Sequence, residues 1–341
     1  MTRQRIRHLF PGSNTAAGFM GFYNDLRGQA RRAVILKGGP GVGKSTLMRA
    51  VGAHYEKLGE AVDYAFCSGD PDSLDAVFIP ARGFLILDGT APHTVDPLLP
   101  GARDGILNLG ACLDEKQLAS QQEEIHALTQ SISGRFAQAY RCLSAALSLR
   151  QDAAAVYAVA LGDKGKRDME RQILSRLPGG PEGREAHCFA QAITCRGVLQ
   201  EIDSITADGA LCIDSPWGFD ASPFLSAALS SARLQHTARQ VYHDPLDAAG
   251  IAHLEAGGLL ITTAVLLDAP SVAPDLDQAV LRRESQRLAF DKAVFDLTMN
   301  QAVEALSDAK RLHDSLERYY IDAMDYQRLE EIKAELLTHL P

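Results

Sequence analysis

The residues best suited to chemistry lie together in Lys37-Gly38-Gly39-Pro40-Gly41-Val42-Gly43-Lys44-Ser45-Thr46. Their spacing, G-x-x-x-x-G-K-S, is that of a loop that cradles phosphate, the P-loop or Walker A pattern. Gly38, Gly41 and Gly43 permit backbone angles that a side chain forbids. The loop through Gly39, Val42 and Gly43 can then turn its amides, from Gly41 to Ser45, toward β-phosphate oxygens. Lys44 brings a mobile positive charge to the β- and γ-phosphates, and the Ser45 hydroxyl is a ligand for Mg²⁺. Thr46 stands where the α-phosphate would lie. The expected ligand is a nucleoside triphosphate with Mg²⁺. ATP is favoured over GTP, since no guanine-reading N-K-x-D motif is evident.

Such a site needs a second acid near the metal, at the end of a neighbouring apolar strand. Gly83-Phe84-Leu85-Ile86-Leu87-Asp88 supplies one, which makes Asp88 the expected partner of Ser45 at the metal and of Lys44 in catalysis. Gly89 stands where hydrolytic P-loop enzymes often carry a glutamate, so fast intrinsic hydrolysis is not expected. His93 and Asp96, in the loop 89–97, could polarise water or read a substrate, although turn chemistry around Pro92 and Pro97 explains them equally. Asp70, Asp72 and Asp75 follow another strand and could serve an acceptor or a metal, or simply shape a turn. Arg103, Arg135 and Arg141 are candidates for a finger or lid, with solvated surface as the ordinary alternative.

The elements that must position these groups are legible as well. Ala33 to Leu36 reads as a short buried strand, and Leu47, Ala50, Val51 and His54/Tyr55 recur at helical spacing after the loop. Strand, glycine loop and helix follow in the order that aims a helix N-terminus at an anion. The 341 residues suggest two domains, and 46% apolar content suffices for their cores. The net charge of −9 makes nucleic acid an unlikely partner. No apolar run is long enough for a membrane span. The basic segment Met1 to Arg7 lacks the apolar stretch of a secretory signal. Six cysteines without C-x-x-C spacing indicate neither a zinc site nor a disulfide framework, and point to a reducing cytoplasm.

The chain also repeats itself at an offset of about 175 residues. Phe10-Pro11-Gly12 matches Phe189-Ala190-Gln191, Ala33 to Leu36 matches Ala210 to Ile213, Asp70-Pro71 matches Asp244-Pro245, and Gly83 to Leu87 matches Gly257 to Ile261. The second copy has lost the phosphate chemistry. Ala221 replaces Lys44, Asp220 replaces Gly43, Pro223 replaces Thr46, and Thr262 falls where the metal-side acid is expected. The expected division is a nucleotide-binding domain with a helical extension over 1–177, a linker over 178–183, and a degenerate copy with its own helical extension over 184–341. The amphipathic helices of 115–175 and 276–339 should pack on their own cores or on each other, with pairing to a partner protein as a further option.

On these segments the chain resembles a family of duplicated, largely uncharacterised bacterial P-loop ATP-binding proteins, labelled ATPase or nucleotide kinase. The resemblance is carried by His8 to Gly12, by the P-loop, by Cys67 to Asp75 and by Asp88 to His93. It continues through Ala309-Lys310, His313, Glu317 and Tyr319 to Met324. It implies an α/β fold of tandem P-loop NTPase-like modules with mostly parallel sheets and helical extensions. The expected function is an Mg-dependent ATPase whose nucleotide state controls the packing of the two halves. A kinase of a nucleotide or small metabolite, and a non-catalytic nucleotide-gated scaffold, are the alternatives.

Overall fold

The computed structural model describes residues 6–205 and 209–341, so Met1 to Arg5 of the basic N-terminal segment lie outside the described residues. The first half runs β1 (Ile6–Leu9), β2 (Gly12–Thr15), β3 (Gly18–Gly21), α1 (Tyr23–Gln29), β4 (Arg32–Lys37) and α2 (Lys44–Lys57). It continues through β5 (Val62–Phe66), β6 (Leu74–Ile79), β7 (Phe84–Asp88), β8 (Asp104–Asn108), α3 (Glu115–Ser120) and the long α4 (Gln122–Leu174). The second half begins with β9 (Glu185–Cys188), β10 (Gln191–Thr194), β11 (Gly197–Gln200), β12 (Gly209–Ile213) and α5 (Ser222–Leu234). Then follow β13 (Arg239–His243), β14 (Ile251–Ala256), β15 (Leu259–Thr262), β16 (Ser271–Val272), α6 (Gln278–Asp322) and α7 (Tyr326–Thr338).

Two six-stranded sheets result, ordered β1-β5-β6-β7-β4-β8 and β9-β13-β14-β15-β12-β16. In each, three neighbouring pairs are parallel and the third strand is antiparallel to both its neighbours. Strand order and direction therefore repeat in full. β4, with Ala33, Ile35 and Leu36 wholly buried, lies inside its sheet, as its apolar run requires. α2 buries Leu47, Met48, Val51 and Tyr55 against one face of that sheet.

The halves meet about a pseudo-twofold axis. Phe10 and Phe189, which the sequence repeat also pairs, exchange two backbone hydrogen bonds of 2.9 Å. Ser45 and Ser222 hold equivalent places, since each accepts the amide that opens the third strand of its sheet, Leu74 at 3.0 Å and Ile251 at 2.9 Å. That equivalence bears out the alignment of Lys44 with Ala221 and of Gly43 with Asp220.

Two other matches shift. Asp70 accepts the amide of Asp72, and Ser73 closes a turn onto the Asp70 carbonyl. Asp247 does the same with Ala249 and Gly250, so Asp70 corresponds to Asp247 and not to Asp244. A β-bulge after Ala65 skips Asp75, and the equivalent bulge after Tyr242 skips Ala252. The residue facing Asp75 in register is Asp88, and the residue facing Ala252 is Thr263, not Thr262. Asp70 and Asp247 keep the offset of Ser45 and Ser222, so the first match is misled by the recurrence of Asp-Pro, whereas the second shifts because the β14–β15 hairpin is shorter than the β6–β7 hairpin.

The long helices α4 and α6 pack along each other. Ala139, Ala146, Ala302 and Ala305 keep the contact close, and Leu143 and Leu306 fill it. Beyond this seam each helix crosses to the opposite half. α4 breaks at Gly162 (φ 60°), after which Met169 and Ile173 enter the core of the second half beside α5. α6 ends on the first half, where Tyr320 and Met324, together with Leu329 and Ile332 of α7, join the core around α2. Matching hydrogen bonds pin the crossings, Asp277 N to Ala160 O and Asp114 N to Ala323 O, both 2.8 Å. The helices thus pack on each other, as expected, and on the other copy's core.

One buried group ties stability to pH. His253 of β14 meets the Thr262 hydroxyl at 2.7 Å while its Nε2 has no partner, and burial pushes its pKa down to about 4. The folded state therefore favours the neutral ring. This contribution is complete above the unfolded pKa of about 6.5 and is lost as pH falls toward the folded value. Urea unfolding should show stability declining from pH 6.5 to 4 more steeply for the natural chain than for His253→Gln; equal slopes would contradict the assignment.

Candidate functional site

The glycine loop joins β4 to α2 at the C-terminal edge of the first sheet. Gly38, Gly41 and Gly43 adopt φ of 153°, 70° and 86°, a region L side chains enter only at a cost of about 1–2 kcal/mol. Val42 turns its side chain into the core beneath the loop, so any part it plays in the site is through its backbone. Lys44 opens α2, and its Nζ donates to the carbonyls of Gly39 at 2.7 Å and Gly38 at 3.3 Å. Nζ also lies 3.5 Å from Asp88 Oδ2. Ser45 is held beside it by the Leu74 amide, and Thr46 is exposed on the first turn.

Asp88 ends β7 next to β4, where the sequence predicts it. Its Oδ1 accepts from the amide and hydroxyl of Thr90, at 2.9 and 2.6 Å. Burial works against its charge, but His93 and Lys44 outweigh burial and hold the carboxyl below its usual range. Gly89 cannot be exchanged freely, because a Cβ there would lie 2.4 Å from Ile35.

His93 reaches this centre from the loop after β7. Its Nε2 lies 3.8 Å from Asp75 and 4.0 Å from Asp88, beyond hydrogen-bond reach, and neither ring nitrogen has a partner. The ring stacks on Tyr23 with centroids 4.5 Å apart, and the Tyr23 hydroxyl donates to Asp75 at 2.7 Å. Burial disfavours charge on His93, yet the two carboxylates raise its pKa above the ordinary value. Burial also raises Asp75, with His93 opposing it. Asp75 owes its position to the bulge in β6, a common device for aiming one side chain out of a ladder.

The other candidates separate. Asp70 shapes its own turn and meets Lys310 of α6 at 3.4 Å, and Asp72 forms a forked ion pair with Arg196 from the β10–β11 hairpin of the second half. Asp96 is exposed beside Lys37. Arg103 donates to the Ala30 carbonyl, Arg135 pairs with Asp308 of α6, and Arg141 is exposed on α4. Arg103 and Arg135 are thus engaged with the scaffold rather than with the glycine loop.

The loop is covered by the far end of the chain. A Cβ on Gly39 would strike the Tyr320 ring at 2.5 Å, and one on Gly41 would meet Ile321 and the Glu317 carbonyl at 3.0 and 3.2 Å. His313, Asp314 and Glu317 stand one turn apart on this end of α6 and form the one group with metal-ligand spacing among the described residues. Sequence reasoning did not foresee Tyr23, Arg196 or the cover by Tyr320. The segment 309–324 nonetheless carries part of the family resemblance, and that signal marks it.

In the second half the corresponding loop is remodelled. Gly218 keeps a left-handed φ of 86°, the place Gly41 holds in the first half. Asp220 accepts the Ser222 amide at 3.0 Å, so a carboxylate occupies a helix N-terminus that an anion would need. Family models, curated proteins and solved structures yield no match to the chain. No helix among the described residues is long and apolar enough to cross a membrane.

Gly43 tests the loop geometry. Alanine there must hold φ 86° and press on Leu329 at 3.0 Å. Gly43→Ala should lose about 1–2 kcal/mol in urea unfolding without ligand. A neutral result would mean that the loop relaxes away from this conformation.

Proposed function

We propose that the first half binds Mg·ATP at the glycine loop and that the chain is an ATPase of slow intrinsic turnover, whose nucleotide state is felt by the helices that cross between the halves. The observation that carries this reading is the convergence of Lys44, Ser45 and Asp88 on one loop with three left-handed glycines. The residues fit the ligand chemically. A glycine cradle leaves room for phosphate oxygens, Lys44 is free to exchange the loop carbonyls for them, and a hydroxyl and a carboxylate suit Mg²⁺. When bound, Mg²⁺ neutralises charge shared by the β- and γ-phosphates. Lys44 steadies charge building on the γ-phosphate in the transition state. His93, buried beside the Asp75 and Asp88 carboxylates with neither ring nitrogen hydrogen-bonded among the described residues, is placed to orient a water, and Tyr23 stacks on its ring. A glutamate after Asp88 is disfavoured by Ile35, in keeping with slow hydrolysis.

Two tandem P-loop modules, one competent and one degenerate, make the best account of the repeated sheet order. A metabolite kinase is less favoured, because Asp70 and Asp72 are committed to Lys310 and Arg196 rather than open to an acceptor. A nucleotide-gated scaffold has one observation in its favour. Phe290 and Leu297 lie exposed two turns apart on α6, on a surface where a protein partner could pack.

ATP binding followed by calorimetry, with ADP release measured in parallel, tests the proposal. Lys44→Ala should weaken Mg·ATP about 10- to 100-fold, the worth of a charge-assisted bond, and should abolish ADP release. Unchanged affinity in Lys44→Ala would overturn the site. Tight, Lys44-dependent binding with no ADP release would leave the scaffold reading.

A further inference from the structure

The remodelled loop of the second half borders a cavity of about 490 Å³, within the range of sites that enclose small organic ligands. Its floor is the segment 215–222, its walls include α4 and the 244–250 loop, and Phe295 of α6 closes one side. Three carboxylates, Asp220, Asp244 and Asp247, face one guanidinium, that of Arg150. Arg150 is spent on Asp244 in a bidentate pair at 2.8 and 3.0 Å. Asp220, exposed at the mouth, and Asp247, half-buried, each give one oxygen to a backbone amide, at 3.0 and 3.2 Å. Among the described residues no cationic side chain pairs with either carboxylate.

The apolar side is equally distinct. Trp217, the sole tryptophan of the chain, packs edge-on to Phe295 at 5.4 Å, and its buried indole N–H has no acceptor. Phe219 lines the cavity as well. Phosphate is unwelcome here, because Asp220 stands in place of Gly43 and Ala221 in place of Lys44. We propose that the second half has exchanged anion binding for a site that takes a small organic cation, an amine or guanidinium compound with an apolar or aromatic body. The ammonium would lie between Asp220 and Asp247, and the apolar or aromatic body against Phe295 and the edge of Trp217, whose ring already carries Lys292 Nζ 5.8 Å from its centroid. The inference stands on this cavity alone and does not need nucleotide in the first half.

Trp217 is a built-in reporter. Its fluorescence should be titrated in the full chain with phenethylamine, agmatine and spermidine, with 2-phenylethanol as the neutral counterpart and Mg·ATP as the anionic one. At least one amine should give a saturable change with a dissociation constant below about 1 mM, and 2-phenylethanol should bind at least about tenfold more weakly. Asp220→Asn with Asp247→Asn keeps both amide caps and should weaken that amine about tenfold or more, while Lys44→Ala should leave it unchanged. Calorimetry on Trp217→Phe confirms binding without the reporter, and circular dichroism confirms that each variant is folded. No saturable change with any of the three amines up to about 10 mM, or equal binding by the double asparagine variant, would overturn the proposal.

Discussion

A glycine-rich loop presents bare backbone, and the closure of that surface by the C-terminal end of α6 is the contact on which the rest of the arrangement depends. Tyr320 lies over Gly39, Glu317 and Ile321 over Gly41, and Leu329 of α7 against Gly43. No side chain other than hydrogen fits at the first of these positions without displacing the Tyr320 ring. The first half therefore completes its loop with residues nearly three hundred positions further along the chain. The reverse crossing sets Ala153 of α4 on Gly218 of the second half. Each copy supplies part of the other's wall, and the Ala-rich seam between α4 and α6 joins the two crossings. A displacement at the loop has a short physical path to the other half through packed side chains.

Within that frame the charges are arranged economically. Lys44 stays near Asp88 and the loop carbonyls, so its charge is answered without being fully desolvated. Asp75, Asp88 and His93 share a buried pocket in which two carboxylates raise the imidazole's pKa and the imidazole opposes the burial of both acids. Tyr23 closes the set by stacking on one member and hydrogen bonding another. The second half has none of this. Ala252 stands at the bulge, Thr263 opposite it and Ala221 at the place of the lysine, while the strand order around them repeats.

Much of this was legible in the residues. The loop, its strand and its helix are local features, and spacing alone places Lys44, Ser45 and Asp88 together. The mixed α/β character, with mostly parallel sheets, agrees with what the strand–loop–helix unit suggested and the resemblance implied. Distance in the chain hid the rest. The three aspartates near position 70 look equivalent in sequence, and only a one-residue bulge sends Asp75 inward while its neighbours cap turns and meet cations. Tyr23 belongs to an element before the P-loop, and nothing in its neighbours hints at a histidine seventy residues later. Amphipathic spacing in α6 reports that one face is buried but not against which half. The match of Asp70 slipped because the Asp-Pro pair recurs by chance at Asp244-Pro245, and that of Asp88 because the β14–β15 hairpin is shorter than the β6–β7 hairpin; hydrogen-bond register corrects both.

If occupancy of the proposed nucleotide loop is transmitted to the crossing helices, hydrogen exchange over 313–338 should respond to it, recorded with and without Mg·ATP and repeated in Lys44→Ala. Mg·ATP should slow exchange at the end of α6 and in α7, and Lys44→Ala should remove the effect. Nucleotide that binds through Lys44 and leaves exchange over these residues unchanged would contradict this transmission.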